Sequence, residues 1–287
     1  MKSLVLSGGA AKGAYSSGAI LYLLGHLEIN YDAFHGISSG AINAAFLAMF
    51  PSGEEKRAAE TLSDLWKNIK QSDVYREWYL FGKLQSIWRN SFYNAEPLHK
   101  LLRSHLSLEK IRASGKKVSV GAVSLTSGKY RTFTQDDDDF LDAVIASASF
   151  PSIFSPIEIR GELYSDGGLK SISPLSIAID MGSEIIDAII TSPEFRDKKF
   201  IENPSIIDII ARSFDLFTEK IMTSDLEKAT LYNQLAALHA TDKKTITMNI
   251  IRPDHNLMED LLDFDPVKIQ NMITLGYDDA KKKYSDI

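Results

Sequence analysis

The chain of 287 residues contains no cysteine. Disulfide bonds, thiolate metal sites and a cysteine nucleophile are therefore excluded. The chain also lacks a long apolar run, because no segment approaches the roughly 18 uninterrupted apolar residues of a membrane-spanning helix. The first residues include no apolar stretch long enough for a signal peptide. We therefore expect a protein that resides in the cytoplasm.

A clear excess of one charge is missing as well. Lysine and arginine total 32 and the acidic residues 38, so the net charge is −6, and the two signs are interspersed. A nucleic-acid-binding protein usually carries a basic stripe, and none is present, so we expect no nucleic-acid partner. The same balance argues against purely electrostatic binding to anionic lipid. Any transient contact with a membrane surface would depend on apolar side chains.

Short apolar runs alternate with helical patterns along the chain. Residues 4–6 and 33–37 read as strands, and residues 13–27 and 41–47 as helices. The other predicted elements are hairpins over 118–133 and 157–164, strands at 184–191 and 245–251, and helices over 140–149, 204–240 and 266–284. Strands interleaved with helices predict an α/β fold, a three-layer α/β/α sandwich around a mostly parallel central sheet.

The length favours one large domain. We expect a single domain over residues 1–287, with a helical cap insertion at about 54–110 and a helical C-terminal part at about 200–287. The three tryptophans, Trp66, Trp78 and Trp88, lie in the predicted cap. Such a cluster favours the core of the cap, and an acyl-chain channel or a docking face is the alternative.

Residues 36–40, with the sequence G-I-S-S-G, match the nucleophile motif G-x-S-x-G between a predicted strand and a predicted helix. A sharp turn in this setting projects the Ser38 hydroxyl from the sheet, and Gly36 and Gly40 leave room around it. The helix N-terminus behind it favours developing negative charge. The motif alone is equally typical of a tight turn with a capping serine, but the strand–turn–helix setting favours a nucleophile. Ser39 lacks the glycine frame, so Ser38 is the candidate.

Residues 7–13 form a second glycine-rich turn between a strand and a helix. A P-loop requires its lysine after the last glycine, whereas Lys12 precedes Gly13, and a dinucleotide loop requires glycine where Ala10 stands. The remaining functional interpretation is an oxyanion hole, in which backbone N–H groups stabilise a tetrahedral intermediate. Lys12 would add positive potential or anchor the loop. A purely structural turn is the alternative.

Asp166-Gly167-Gly168 follows another predicted strand, and by itself Asp-Gly is a common hairpin turn. The three glycine-rich blocks, in this order, resemble the signature motifs of patatin-like phospholipases. Residues 146–154 resemble the family's segment before its catalytic aspartate. The resemblance extends from residue 3 to residue 284, because three C-terminal stretches resemble the bacterial members, namely residues 250–253, 264–266 and 276–277.

The resemblance implies a catalytic dyad of Ser38 and Asp166 without a catalytic histidine. It implies an oxyanion hole from the backbone of Gly8, Gly9 and Ala10, and the cleavage of lipid esters by a phospholipase A or lysophospholipase reaction through an acyl-enzyme. No metal and no cofactor are implied. The family commonly has glycine where Ala10 stands, so a positive φ there would cost on the order of 1 kcal/mol.

Two other functions compete with this interpretation. Ser38, Asp166 and His255 follow the chain order of an α/β-hydrolase triad, as in an esterase or thioesterase, but that fold places its nucleophile after several strands, and Ser38 follows about two. His35 is too near Ser38 along the strand to turn back to it. A catalytically silent binding or regulatory protein is the second alternative. The intact Ser38, Asp166 and glycine loop argue against it.

A run of four aspartates, residues 136–139, suggests calcium at first sight. The run lacks the EF-hand spacing and its closing glutamate. Acidic residues at the start of a helix interact favourably with the positive end of the helix dipole. We therefore expect a solvated helix start here.

Overall fold

The computed structural model describes residues 1–78, 90–194, 206–238, 244–258 and 260–285. Within these residues eight strands form one sheet. The strands are β1 (Lys2–Leu6), β2 (Ala33–Gly36), β3 (Lys117–Ser124), β4 (Tyr130–Thr134), β5 (Ile157–Ile159), β6 (Glu162–Asp166), β7 (Ile185–Ile189) and β8 (Thr247–Ile251). The helices are α1 (Gly13–Ile20), α2 (Ser39–Leu47), α3 (Glu55–Asn68), α4 (Gln71–Val74), α5 (Glu96–His105), α6 (Leu108–Ser114), α7 (Phe140–Ser147), α8 (Leu175–Asp180), α9 (Ile206–Ala237) and α10 (Pro266–Ser285).

The strands follow the order β5-β6-β3-β2-β1-β7-β8, and β4 also pairs with β3. The pairs β3–β2, β2–β1, β1–β7 and β7–β8 are parallel. The pairs β3–β4, β3–β6 and β5–β6 are antiparallel. The prediction of a mostly parallel sheet is confirmed, with two antiparallel hairpins added at one end.

Helices cover both faces of this sheet. Successive side chains of a strand point to opposite faces, and in β1 Leu4 and Leu6 join one apolar core while Val5 joins another. The larger core includes side chains of α1, α2, α3, α5, α6, α7 and α10. The smaller core includes Leu175 of α8 and Ala229 of α9. The three-layer α/β/α architecture is therefore confirmed.

Strand β3 brings together two segments that are far apart in sequence. Some of the β3 residues that pair with β4 also pair with β2, and others also pair with β6. A strand has only two edges, so β4 occupies one edge of β3, and β2 and β6 share the other. Gly36 at the end of β2 lies opposite Val120, and Asp166 at the end of β6 lies opposite Ala122. The ends of β2 and β6 therefore meet across from Gly121.

The stretch 54–110 is less helical than predicted. Residues 75–78 and 90–95 are not helical, and Arg76 forms an isolated β-bridge with Asn94. Segments this short show no alternation of apolar residues that a sequence pattern could register. Trp66 of α3 lies in the main core, and Trp88 lies outside the described residues. The division of the chain into one domain with a cap stays a prediction.

The aspartate run before α7 is held by arginines. Asp137 lies 3.4 Å from both Arg131 and Arg160, and Asp138 lies 2.9 Å from Arg112. Within the described ranges, no group of acidic and histidine side chains is arranged to hold a metal ion. No described helix is both long enough and apolar enough to cross a membrane.

Candidate active site

Ser38 occupies a strained turn between β2 and α2. Its backbone has φ 56° and ψ −127°, a conformation that side-chain-bearing residues rarely adopt outside functional sites. A Cβ on Gly36 would lie 2.1 Å from the Gly40 carbonyl oxygen, and a Cβ on Gly40 would lie 2.2 Å from the Leu6 carbonyl oxygen. The close approach of three backbone segments therefore requires both glycines. This geometry is that of a nucleophile elbow.

A buried serine supports the turn from outside the motif. The Ser38 N–H donates to Ser147 Oγ at 3.0 Å, and Ser147 ends α7 with no exposed surface. The neighbouring Ser39 is buried beside Gly13, whereas Ser38 is partly exposed. Ser38 is therefore the accessible hydroxyl of the pair.

Asp166 ends β6 and is almost fully buried, with 2% of its surface exposed. The structure brings it close to Ser38, whose hydroxyl interacts with its carboxylate. The Gly168 N–H donates to Oδ1 of the same carboxylate at 2.7 Å. A Cβ on Gly167 would lie 2.3 Å from the Gly121 carbonyl oxygen, so the chain turns against β3 as soon as β6 ends.

Burial raises the pKa of Asp166 to about 7, although the bonds from Gly168 and Ser38 act in the opposite direction. Burial dominates because a charged carboxylate loses its hydration in a low-dielectric environment. A carboxylate with this pKa is a far better proton acceptor for an alcohol than an ordinary aspartate. A strongly shifted pKa next to a strained serine is typical of a functional site.

Neither candidate histidine joins this pair. His255 is exposed, in the segment between β8 and α10. His35 is fully buried in β2 and bonds through Nδ1 to Ser119 Oγ at 2.7 Å. Burial lowers the pKa of His35 to about 4, so this ring is neutral at pH 7.

The glycine loop after β1 lies directly against Ser38. A Cβ on Gly8 would lie 3.0 Å from Ser38 Cβ and 3.8 Å from Ser38 Oγ. The Gly8 N–H donates to the Ile172 carbonyl oxygen at 3.2 Å, and the Gly8 carbonyl accepts from Thr191 Oγ1 at 2.6 Å. The Gly8 amide is thus already engaged within the protein and is not a free donor.

The next two amides in the loop are different. Within the described part of the chain, the N–H groups of Gly9 and Ala10 have no hydrogen-bond partner, whereas Ala11 donates to Leu261 and Lys12 donates to Gly9. The Lys12 side chain is buried at the start of α1. The free donors of the loop are therefore Gly9 and Ala10.

Gly13 ends the loop where Trp66 of α3 packs against it. A Cβ on Gly13 would lie 2.5 Å from Trp66 Cζ2. Trp66 Nε1 donates to Asn43 Oδ1 at 2.9 Å, and Asn43 Nδ2 donates to the Gly13 carbonyl at 3.2 Å. Asn43 lies on α2, so this chain of bonds fixes the glycine loop relative to the helix that follows Ser38.

A second buried acid anchors the segment after the Asp166 motif. Oδ2 of Asp225, on α9, accepts from the Ile172 N–H at 2.9 Å, the Ser173 N–H at 3.1 Å and Ser171 Oγ at 3.2 Å. Ile172 in turn accepts the Gly8 N–H. No sequence signal marked Asp225, Asn43 or Thr191, because each is a single polar residue that bonds to peptide groups. Ser147 lies in the stretch 146–154 that resembles the family, but its contact with Ser38 was not predicted.

Ala10 has φ 49°, so the positive φ considered from the sequence is present. We expect Ala10→Gly to raise the free energy of unfolding by about 0.5–1 kcal/mol. The left-handed region costs a residue with a Cβ roughly 1–2 kcal/mol, and the greater freedom of glycine in the unfolded chain offsets roughly 0.4–1 kcal/mol. Urea denaturation of both proteins measures the difference.

The matched control is Ala11→Gly, because Ala11 is buried and does not have a positive φ. This variant should lose stability. An Ala10→Gly protein that is less stable than the wild type would contradict the strain at position 10.

The chain is similar to known proteins in sequence and in fold. The family model described as patatin-like phospholipase matches residues 4–179. The chain is 27% identical over 255 residues to "Probable lipid hydrolase 463L" of Invertebrate iridescent virus 6, which covers 81% of this chain and 86% of that protein. It is 24% identical over 171 residues to calcium-independent phospholipase A2-gamma of Mus musculus, covering 52% of this chain and 21% of that much longer protein.

A solved structure shares the fold. VipD from Legionella pneumophila aligns with a TM-score of 0.51 and 15% sequence identity, over 99% of this chain and 67% of that one. At this sequence identity the likeness shows a shared fold and nothing more. The family match, in contrast, spans more than half of the chain and includes all three glycine-rich motifs. The chain therefore belongs to the patatin-like phospholipase family.

Proposed function

We propose that this chain hydrolyses carboxylic esters of lipids, as a phospholipase A or lysophospholipase, through a Ser38–Asp166 dyad and an acyl-enzyme intermediate. The observation that carries the proposal is that the Ser38 hydroxyl lies beside the buried Asp166 carboxylate and interacts with it. Family membership and the relatives named as a lipid hydrolase and a phospholipase A2 support the lipid substrate.

In the first step Ser38 Oγ attacks the ester carbonyl carbon and its proton passes to Asp166. The carbonyl oxygen becomes an oxyanion, which accepts hydrogen bonds from the free amides of Gly9 and Ala10. Asp166 then returns the proton to the leaving alcohol as the ester C–O bond breaks and the acyl-enzyme forms. Water then attacks the acyl-enzyme with Asp166 as the base, so that the carboxylic acid leaves and Ser38 recovers its proton. These steps use no metal and no cofactor.

Backbone donors for the oxyanion matter greatly in this scheme. Removing one such donor costs about 10²–10³ in kcat in other serine hydrolases. The dyad has a single side-chain base, so the donors carry a large share of the stabilisation. Positive potential at the N-terminus of α2, directly behind Ser38, acts in the same direction.

The segment that contains Leu261 and Leu262 is the candidate wall of an acyl-chain site. The Ala11 N–H donates to the Leu261 carbonyl at 3.1 Å, and Tyr75 Oη donates to the Leu262 carbonyl at 3.2 Å. The Tyr75 ring packs 4.6 Å from that of Tyr93, between ring centroids. This segment is therefore bonded to the residue that follows the proposed oxyanion donors, and the acyl chain of a bound ester would lie against it.

The exposed position of His255 disfavours the triad with Ser38 and Asp166, and the intact dyad and loop disfavour a silent binding protein. A soluble esterase or thioesterase with the same dyad is the remaining alternative. Residence in the cytoplasm and transient contact with a membrane surface stay predictions.

Labelling with a fluorophosphonate probe tests the dyad. We expect the wild type to be labelled, Ser38→Ala not at all, and Asp166→Asn at a rate lower by about 100-fold or more, because the hydroxyl loses its base. Gel fluorescence against time measures the rate. Ser39→Ala and His255→Ala are the controls and should label at near the wild-type rate. Strong loss with His255→Ala would favour the triad.

Acyl-chain profiling tests the substrate class. We expect kcat/KM to be higher for phospholipids and lysophospholipids than for short p-nitrophenyl esters, and to rise with chain length. Each buried CH₂ contributes roughly 0.8 kcal/mol, a factor of about four, until the site is full. A thioester with a matched acyl chain is the comparison substrate. A preference for the short ester or the thioester would contradict lipid hydrolysis.

The pH dependence tests the base. Burial raises the pKa of Asp166 to about 7, and the base must be ionised to act. We therefore expect kcat/KM to fall about tenfold per pH unit below pH 7 and to level off above it. A soluble ester, corrected for spontaneous hydrolysis, provides the measurement. A plateau that already begins near pH 4 would show that the pKa of the Asp166 carboxyl is not raised.

A further inference from the structure

Gly8 is held at both of its peptide groups. Its N–H donates to the Ile172 carbonyl at 3.2 Å, and its carbonyl accepts from Thr191 Oγ1 at 2.6 Å. Thr191 lies just beyond β7 and has no exposed surface. The Thr191 N–H donates to Ser7 Oγ at 3.0 Å, which fixes its backbone against the end of β1.

The Gly8 carbonyl belongs to the same peptide group as the Gly9 N–H. A trans peptide is planar, so its C=O and N–H point in opposite directions. Bonding the carbonyl to Thr191 therefore directs the Gly9 N–H away from Thr191. This N–H has no partner among the described residues and follows the glycine that contacts Ser38.

The threonine hydroxyl reaches this carbonyl because residue 9 is a glycine. A Cβ on Gly9 would lie 2.5 Å from Thr191 Oγ1, too close for any other residue without displacement of the hydroxyl. The bond also polarises the peptide, since a hydrogen bond to a carbonyl strengthens the N–H of the same group as a donor. Ser7 Oγ is a second and more distant donor to the same carbonyl, at 3.4 Å, so loss of the Thr191 hydroxyl would weaken both the orientation and the donor strength of this peptide.

We propose that Thr191 is a positioning residue, whose hydroxyl orients the Gly8–Gly9 peptide so that the Gly9 N–H stabilises the oxyanion. Thr191 acts through the peptide and does not touch the substrate. The proposal rests on the proposed function, because it assumes ester hydrolysis at Ser38.

Kinetics of two variants test this role. Thr191→Val keeps the shape and removes the hydroxyl, so kcat on a soluble ester should fall about 10- to 100-fold. KM should stay within about twofold, because the donor acts on the transition state and not on the bound ester. Thr191→Ser retains the hydroxyl and should restore most of kcat. A higher KM with an unchanged kcat would overturn the proposal.

A thionoester substrate separates the oxyanion role from a general structural one. Its developing charge lies on sulfur, a weak hydrogen-bond acceptor. The wild type should therefore favour the oxygen ester strongly, and Thr191→Val should reduce this preference by nearly the same factor as kcat. A structural disturbance would slow both substrates equally and leave the preference unchanged, which would overturn the proposal. The inflection near pH 7 should persist in both variants.

Two further measurements keep the test decisive. Thermal denaturation establishes that each variant is folded. If Thr191→Val does not fold, Thr191→Cys replaces it, and because a thiol is a weaker donor, kcat should then follow the order Thr, Ser, Cys.

Ser38→Ala separates the two proposals. An active wild type with an inactive Ser38→Ala and a fully active Thr191→Val would overturn the role of Thr191 alone, whereas activity that survives Ser38→Ala would overturn both.

Discussion

The interaction between the Ser38 hydroxyl and the Asp166 carboxylate depends on the ends of two strands that approach each other along one edge of β3. β2 runs parallel to β3 and β6 runs antiparallel to it, so their C-terminal ends face the same gap. Residues 128 positions apart in sequence thus come together without either lying on a long loop. Because the sheet fixes both strand ends, the donor and the acceptor are positioned before any substrate binds.

The chemistry of the pair depends on a balance within that gap. Burial disfavours the charged carboxylate, and the bonds from Gly168 and Ser38 favour it, so the pKa of Asp166 stays near 7. Without those interactions burial would raise the pKa of this carboxyl further, and less of the base would be ionised at pH 7. Without burial it would be an ordinary weak base. One aspartate can therefore serve where many hydrolases use a histidine supported by an acid.

Much of this arrangement was predictable from the sequence. The α/β fold and the motifs containing Ser38 and Asp166 are marked by glycines, because backbone segments approach so closely that a Cβ cannot be accommodated, as at Gly36 and Gly40. The extended residues around Arg76 were missed, because a single β-bridge leaves no periodic pattern. The pairing of Ser38 with Asp166 was indicated only through the resemblance, and the edge of β3 that β2 and β6 share was not predicted, since strand pairing depends on contacts far apart in the chain.

The residues that form hydrogen bonds to peptide groups could not be predicted from the sequence either, for a chemical reason. Asp225 accepts the Ser173 N–H, the carbonyl of that same peptide accepts the Gly8 N–H, and Thr191 donates to the Gly8 carbonyl. Each bond requires one donor or acceptor at the right place, which several residue types supply, so no motif results. Because peptides are planar, each bond nevertheless restricts the group at the opposite end. The glycine loop is therefore oriented by Thr191, just beyond β7, and by Asp225 of α9 through the segment that follows the Asp166 motif, as well as by its own glycines.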